Sequence, residues 1–85
     1  MRLISSDKTV DVPYKQVVLQ ILEDTRLNLF IIYANKDGNI WRMGSYKTLK
    51  DAKDTMDNIQ KLYWRYGGNT IYIFPEGSKK NKEYD

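Results

Sequence analysis

The chain has no cysteine and no histidine among its 85 residues. It therefore cannot be held together by a disulfide or by thiolate and imidazole zinc ligands, and a chain of this length buries only a marginal hydrophobic core. Stability must come from packing, and domains of this size often gain more of it by forming oligomers. We predict one domain over residues 1–77, followed by a polar, disordered tail over residues 78–85.

Six segments have the composition of β-strands, with branched and aromatic side chains bounded by turn-forming residues. The strongest is apolar on both faces from Leu29 onward, which is typical of a central strand. Asp37-Gly38 follows it and predicts a tight hairpin turn into the next strand. The predicted strands are residues 2–5, 9–12, 17–22, 27–34, 40–46 and 70–74.

One amphipathic helix is predicted after the fifth strand. Thr48 is a suitable N-cap and Gly67 a suitable helix stop. Between them the apolar residues recur at alternating spacings of three and four, at Leu49, Ala52, Met56, Ile59, Tyr63 and Tyr66. The predicted fold class is α+β, with a single antiparallel sheet of four to six strands and the helix packed on one face.

A sheet covered by one helix has a second face that needs a partner. A second copy of the chain, related by a two-fold axis, is the simplest cover. Aromatic side chains contribute large contact areas at interfaces at a low entropic cost. The interface residues predicted on this basis are Trp41, Tyr72, Phe74 and Tyr66.

Catalysis and metal binding are disfavoured by composition. Without histidine the chain lacks the usual general base near neutral pH, and without cysteine it lacks a thiolate nucleophile. Asp51, Asp54 and Asp57 alternate with lysines, which favours a hydrated ion-pair face over a calcium site. We predict no enzymatic activity, no cofactor and no metal. No long apolar segment is present, which predicts no membrane association and a cytoplasmic location.

Two positions are candidates for ligand contact. Trp64, beside Arg65, falls to the side of the apolar helix stripe. It could pack against another subunit, stack on a planar ligand or lie under a loop. Arg42 is predicted in mid-strand with Tyr46 on its own face, where it could fork onto a phosphate or be an ordinary edge charge. The predicted ligand site consists of Trp64, Arg65, Arg42 and Tyr46.

Several short motifs resemble those of a known group of proteins. They are the opening Met1-Arg2-Leu3-Ile4-Ser5-Ser6-Asp7, then Val10-Asp11-Val12-Pro13-Tyr14, Gly44-Ser45-Tyr46-Lys47-Thr48 before the helix, and Phe74-Pro75. Together they resemble short, mostly uncharacterised proteins encoded by phages and prophages of Firmicutes. The resemblance implies an interaction protein, such as an oligomeric sponge for nucleotide immune signals or a blocker of a host nuclease.

Three functional hypotheses follow. The first is a non-enzymatic anti-defence sponge that sequesters a nucleotide second messenger at a subunit interface, with aromatic rings stacking on the base and cations holding the phosphates. The second is an anti-CRISPR-like protein that inhibits a host defence enzyme by direct contact. The third is a module that binds single-stranded nucleic acid, although the net charge of only +3 is low for that class.

Overall fold

The computed structural model describes residues 1–75, so the predicted tail over residues 78–85 lies outside the described residues. The α+β class predicted from the sequence is confirmed. The strands and the helix are, in chain order, β1 (Arg2–Ile4), β2 (Asp11–Pro13), β3 (Val18–Asp24), β4 (Leu29–Lys36), β5 (Asn39–Tyr46), α1 (Leu49–Tyr66) and β6 (Ile71–Ile73). Two short 3-10 turns, at Tyr14–Gln16 and Gly67–Asn69, precede β3 and β6.

The six strands form two three-stranded sheets, not the single antiparallel sheet expected. One is the antiparallel meander β3-β4-β5, and the other has the order β2-β1-β6 with β1 and β6 parallel. Pro13 ends β2 at the outer edge of its sheet, where a proline costs no ladder bond, and the 3-10 turn after it redirects the chain into a new sheet. The helix then carries the chain across to the side of β1, and such crossovers permit parallel pairing.

A tight turn and a β-bulge set the geometry of the β4–β5 hairpin. Asp37 and Gly38 both have positive φ, at 51° and 86°, as the predicted Asp-Gly turn requires. Further along, Ile32 pairs with Gly44 while Tyr33 pairs with Arg42, so Met43 is an extra residue in β5. Because side chains alternate between the two faces of a sheet, this extra residue reverses the face on which each side chain of β5 before Met43 lies.

Helix α1 begins and ends where the sequence predicted. The Thr48 side chain accepts a hydrogen bond from the Asp51 N–H at 3.1 Å, and the Gly67 N–H donates to the Tyr63 carbonyl. Ala52 and Ile59 are fully buried, while Met56 and Tyr63 are half-buried against the core. The two ends of the predicted stripe, Leu49 and Tyr66, are exposed.

The core lies between α1 and the two sheets. Leu3, Ile32, Met43, Ile59 and Phe74 are each at most 1% exposed. The small sheet is joined to β5 by a hydrogen bond from the Ser6 N–H to the Met43 carbonyl at 2.8 Å. One shared core therefore supports both sheets. The β3 edge of the larger sheet lies at the margin of this core, where Leu19 and Ile21 are only half-buried.

Candidate functional site

The four residues of the predicted ligand site do not meet within one chain. Arg42 is exposed on the face of the larger sheet that points away from α1, because Met43 is bulged. Trp64 is on the exposed side of α1, with 79% of its surface accessible, beside the exposed Arg65. Tyr46 is only 7% exposed and belongs to the core cluster. The expectation that Arg42 and Tyr46 share a face was wrong for this reason.

Tyr46 has a structural environment instead of a ligand-binding one. Its hydroxyl is buried without a hydrogen-bond partner among the described residues. Burial raises the pKa of this phenol above its ordinary value. The Thr55 hydroxyl partly offsets this increase in the pKa. It donates its own proton to the Asp51 carbonyl at 3.0 Å, however, and makes no hydrogen bond with the Tyr46 hydroxyl. The Tyr46 hydroxyl is therefore a polar group that the core holds without compensation.

Replacing Tyr46 with phenylalanine is expected to raise the free energy of unfolding by about 1 kcal/mol, because it removes a buried hydroxyl without a partner. Urea denaturation followed by circular dichroism measures the change. The matched control is Tyr72→Phe, which deletes a hydroxyl from a half-buried ring and should have a smaller effect. A loss of stability in Tyr46→Phe would mean that the hydroxyl does make a hydrogen bond in solution.

The predicted interface residues are also separated by the fold. Phe74 is 1% exposed, and Trp41 packs against the core from the helix-facing side of the sheet, so both serve the chain's own interior. Tyr72 is half-buried, with its ring edge-on to Phe74, and Tyr66 is exposed at the end of α1. The sheet face away from α1 is exposed in part: Val18, Leu22 and Ile40 are exposed apolar residues there, while Ile31 on the same face is buried.

A groove of about 600 Å³ lies between α1 and β3, and we call it the β3 groove. Its floor is apolar and its rim carries charges of both signs. The floor is formed by Val17, Leu19, Ile21 and Met56, and the rim by Tyr14, Lys15, Lys53, Asp57 and Gln60. Ligand-binding clefts typically have volumes of about 300–1,000 Å³ and a mostly apolar lining with a few polar groups. The volume of the β3 groove lies in that range, and its apolar residues are grouped on the floor, but its lining as a whole is about half polar.

Aromatic packing closes one end of the β3 groove. The rings of Tyr14 and Tyr63 lie 5.1 Å apart between centroids, tilted by 47°. The Lys15 ammonium lies 6.0 Å from the centroid of the Tyr63 ring, at the outer limit of a cation–π contact. These contacts attach the turn that precedes β3 to the helix, and so they position the start of that strand beside the groove.

The β3 strand is an open edge of its sheet. It pairs with β4 on one side only. Outside the regular ladders, no backbone hydrogen bond between described residues involves any residue from 18 to 24. The opposite edge, β5, is interrupted by its bulge and covered in part by Ser6. Within residues 1–75, the β3 edge therefore has a row of N–H and C=O groups that no other backbone group pairs with, and this row lies beside the groove.

A second, smaller groove of about 340 Å³ lies between α1 and β6, and we call it the β6 groove. Its lining consists of Asn58, Lys61, Leu62, Arg65 and Tyr72. Arg65 and Tyr72, which the sequence analysis placed in separate sets, are thus brought together. Burial raises the pKa of the Tyr72 phenol to about 12.

Other classes of site find no support among residues 1–75. Over this range, no group of three or more acidic side chains is placed so as to hold a metal ion. None of the helices in the same range is long and apolar enough to cross a bilayer. Comparison of the chain with protein-family models, with curated proteins and with solved structures gave no match.

The floor of the β3 groove was not predicted from the sequence. The strand containing Leu19 and Ile21 was predicted, but as an ordinary member of a single sheet. The signal was present, since Val17 to Leu22 is apolar on both pleat faces, with Gln20 alone interrupting it. Such a strand is either a central strand or an edge strand whose apolar side chains are left without a packing partner. Only the order of the strands in the sheet distinguishes the two.

Proposed function

We propose that this protein is a non-enzymatic binding protein that holds an extended segment of a partner protein along β3. The observation that carries the proposal is the β3 edge, which has no strand partner on its outer side among residues 1–75 and lies beside the apolar floor of the β3 groove. Recognition by strand addition uses these two features together: backbone hydrogen bonds provide affinity, and pockets for alternate side chains provide specificity.

The expected mode of binding follows from strand geometry. A segment added to β3 would satisfy the free backbone groups of that edge and extend the sheet to four strands. Its side chains would alternate between the two faces of the sheet. One set would lie over Leu19, Ile21 and Met56 in the β3 groove, and the other beside the exposed Val18 and Leu22. The preferred segment would therefore have apolar side chains on both of its faces.

The composition of β3 supports its use as a binding edge. Edge strands are commonly protected from other chains by lysine, proline, a bulge or an inward-pointing charge. Residues 18–22 of β3 have none of these, and the strand's only charges are Glu23 and Asp24 at its far end. Lys15, Lys53 and Asp57 on the groove rim provide charges that could select among partner segments.

The proposal takes up the protein-binding hypothesis from the sequence. Because Arg42, Tyr46 and Trp64 are separated in the fold, they cannot together form a nucleotide site within one chain. Given the resemblance to phage-encoded proteins, a host defence enzyme is the first class of partner to test. A second copy of the chain could supply the added strand too, and this would be the homo-oligomer expected for a small domain.

The first experiment selects linear peptides that bind the protein and compares two neighbouring substitutions. Ile21 faces the β3 groove, while Leu22 faces the opposite side of the same strand. Ile21→Lys places a charge in the groove and is expected to weaken peptide binding at least about tenfold. Leu22→Lys is the matched control and should weaken it less. Thermal unfolding confirms that both variants are folded.

A backbone test does not depend on any substitution in the protein. Methylation of the peptide's amide nitrogens, one position at a time, should abolish binding at every second residue, because alternate N–H groups of an added strand face β3. Loss with no alternation would contradict strand addition. Light scattering on the free protein tests for self-association. If the protein is a dimer and Ile21→Lys dissociates it, the segment bound along β3 belongs to a second copy of the chain.

A further inference from the structure

We infer that the β6 groove is a second binding site, specific for the phosphate group of a small organic phosphate. The inference is independent of the partner proposed for β3. It rests on the convergence of four side chains that can donate hydrogen bonds, two of them cationic, around one concave surface. These are Asn58, Lys61, Arg65 and Tyr72, and Leu62 completes the lining.

The lining is chemically one-sided. No carboxylate lines the groove, although α1 has three aspartates. Arg65 makes no ion pair with any residue in the part of the chain described. Lys61 has only a loose pair with Asp57, with the nitrogen and oxygen 3.6 Å apart on exposed side chains. Such exposed pairs contribute little, so the Lys61 ammonium can turn to an anion at small cost.

Tyr72 gives the groove both a donor and an apolar surface. Its hydroxyl makes no hydrogen bond with another described residue and, like that of any tyrosine, carries its proton at neutral pH, so it is available as a donor. The ring is held edge-on against Phe74, with 5.1 Å between the centroids, which fixes its orientation. The hydroxyl could donate to a phosphate oxygen while Leu62 and the Tyr72 ring contact the organic part of the ligand.

The two cationic side chains of the lining favour phosphate over a singly charged anion. The guanidinium of arginine presents several N–H groups in a planar fork that matches two oxygens of a phosphate, and a lysine can neutralise the second charge. The groove lies on the C-terminal half of α1, where the helix dipole is negative. An anion there must therefore be held by the side-chain cations, which makes binding depend directly on Arg65 and Lys61.

Titration with phenyl phosphate, followed by amide chemical shifts at constant ionic strength, tests the site. Shifts should concentrate at residues 58–65 and 71–73. Arg65→Gln is expected to weaken binding at least about tenfold, through loss of charged hydrogen bonds. Tyr72→Phe should weaken it by about fivefold. Inorganic phosphate should bind more weakly than phenyl phosphate, and neutral phenol should not bind.

Lys53→Gln is the matched control because it removes the same charge from the same helix, on the rim of the other groove. It should change the affinity by less than about twofold. Equal losses in Arg65→Gln and Lys53→Gln would show diffuse attraction to the whole basic surface and would overturn the site. The absence of any shift at millimolar phenyl phosphate would overturn it too.

Discussion

A Phe74→Ala variant is expected to lose about 3 to 5 kcal/mol of its free energy of unfolding. Phe74 is 1% exposed and is the largest of the fully buried side chains. It packs on Gly44 and meets Tyr72 edge-on, and its N–H donates to the Ile4 carbonyl at 2.9 Å. Removing the ring would leave a cavity where the last strand of the small sheet packs against β5.

Urea denaturation measures this loss, and the variant is expected to be close to unfolded because small domains have only about 5–15 kcal/mol in total. Phe74→Leu is the control, since it retains most of the buried volume and should cost clearly less. A Phe74→Ala variant as stable as Phe74→Leu would mean that the surrounding residues collapse into the space.

The second large effect is expected from an added methyl group at Gly44. A Cβ there would lie 3.1 Å from Cδ2 of Phe74, 3.2 Å from Oη of Tyr46 and 3.4 Å from Cβ of Phe74. Both neighbouring side chains are buried, so neither can move away freely. Gly44→Ala is therefore expected to cost about 1 to 3 kcal/mol through overpacking.

A double-mutant cycle with Tyr46→Phe separates this overpacking from a general preference for glycine in the strand. Removing the Tyr46 hydroxyl deletes one of the close contacts, so Gly44→Ala should cost less in the Tyr46→Phe background than in the wild type. Equal costs in both backgrounds would locate the strain at Phe74 alone. A neutral Gly44→Ala would contradict the close packing altogether.

Locally determined features were predictable from the sequence. The spacing of apolar residues and the Thr48 cap predicted α1, and Asp37-Gly38 predicted the turn between β4 and β5; the structure confirms both. Each depends on residues that are near neighbours along the chain, such as Thr48 with Asp51, and hydrogen bonds over that range need no tertiary contact. The α+β class follows from adding such elements together.

Features that depend on distant contacts were not predictable in the same way. The extra residue Met43 reversed the facing of the residues before it, which placed Arg42 outside and Trp41 inside. No spacing in the sequence marks a bulge of this kind, because it depends on how β5 fits both β4 and the small sheet. The predicted grouping of Arg42 with Tyr46 failed at this one residue.

The sequence by itself determined the α+β class, the helix and its cap, the hairpin turn and the lack of histidine and cysteine chemistry. Only the tertiary structure decided that the strands form two sheets, that β3 is an open edge, and that Arg65 and Tyr72 share a groove. The physical reason is that turns and caps are set by interactions over a few residues, whereas edges and grooves depend on which strands lie side by side.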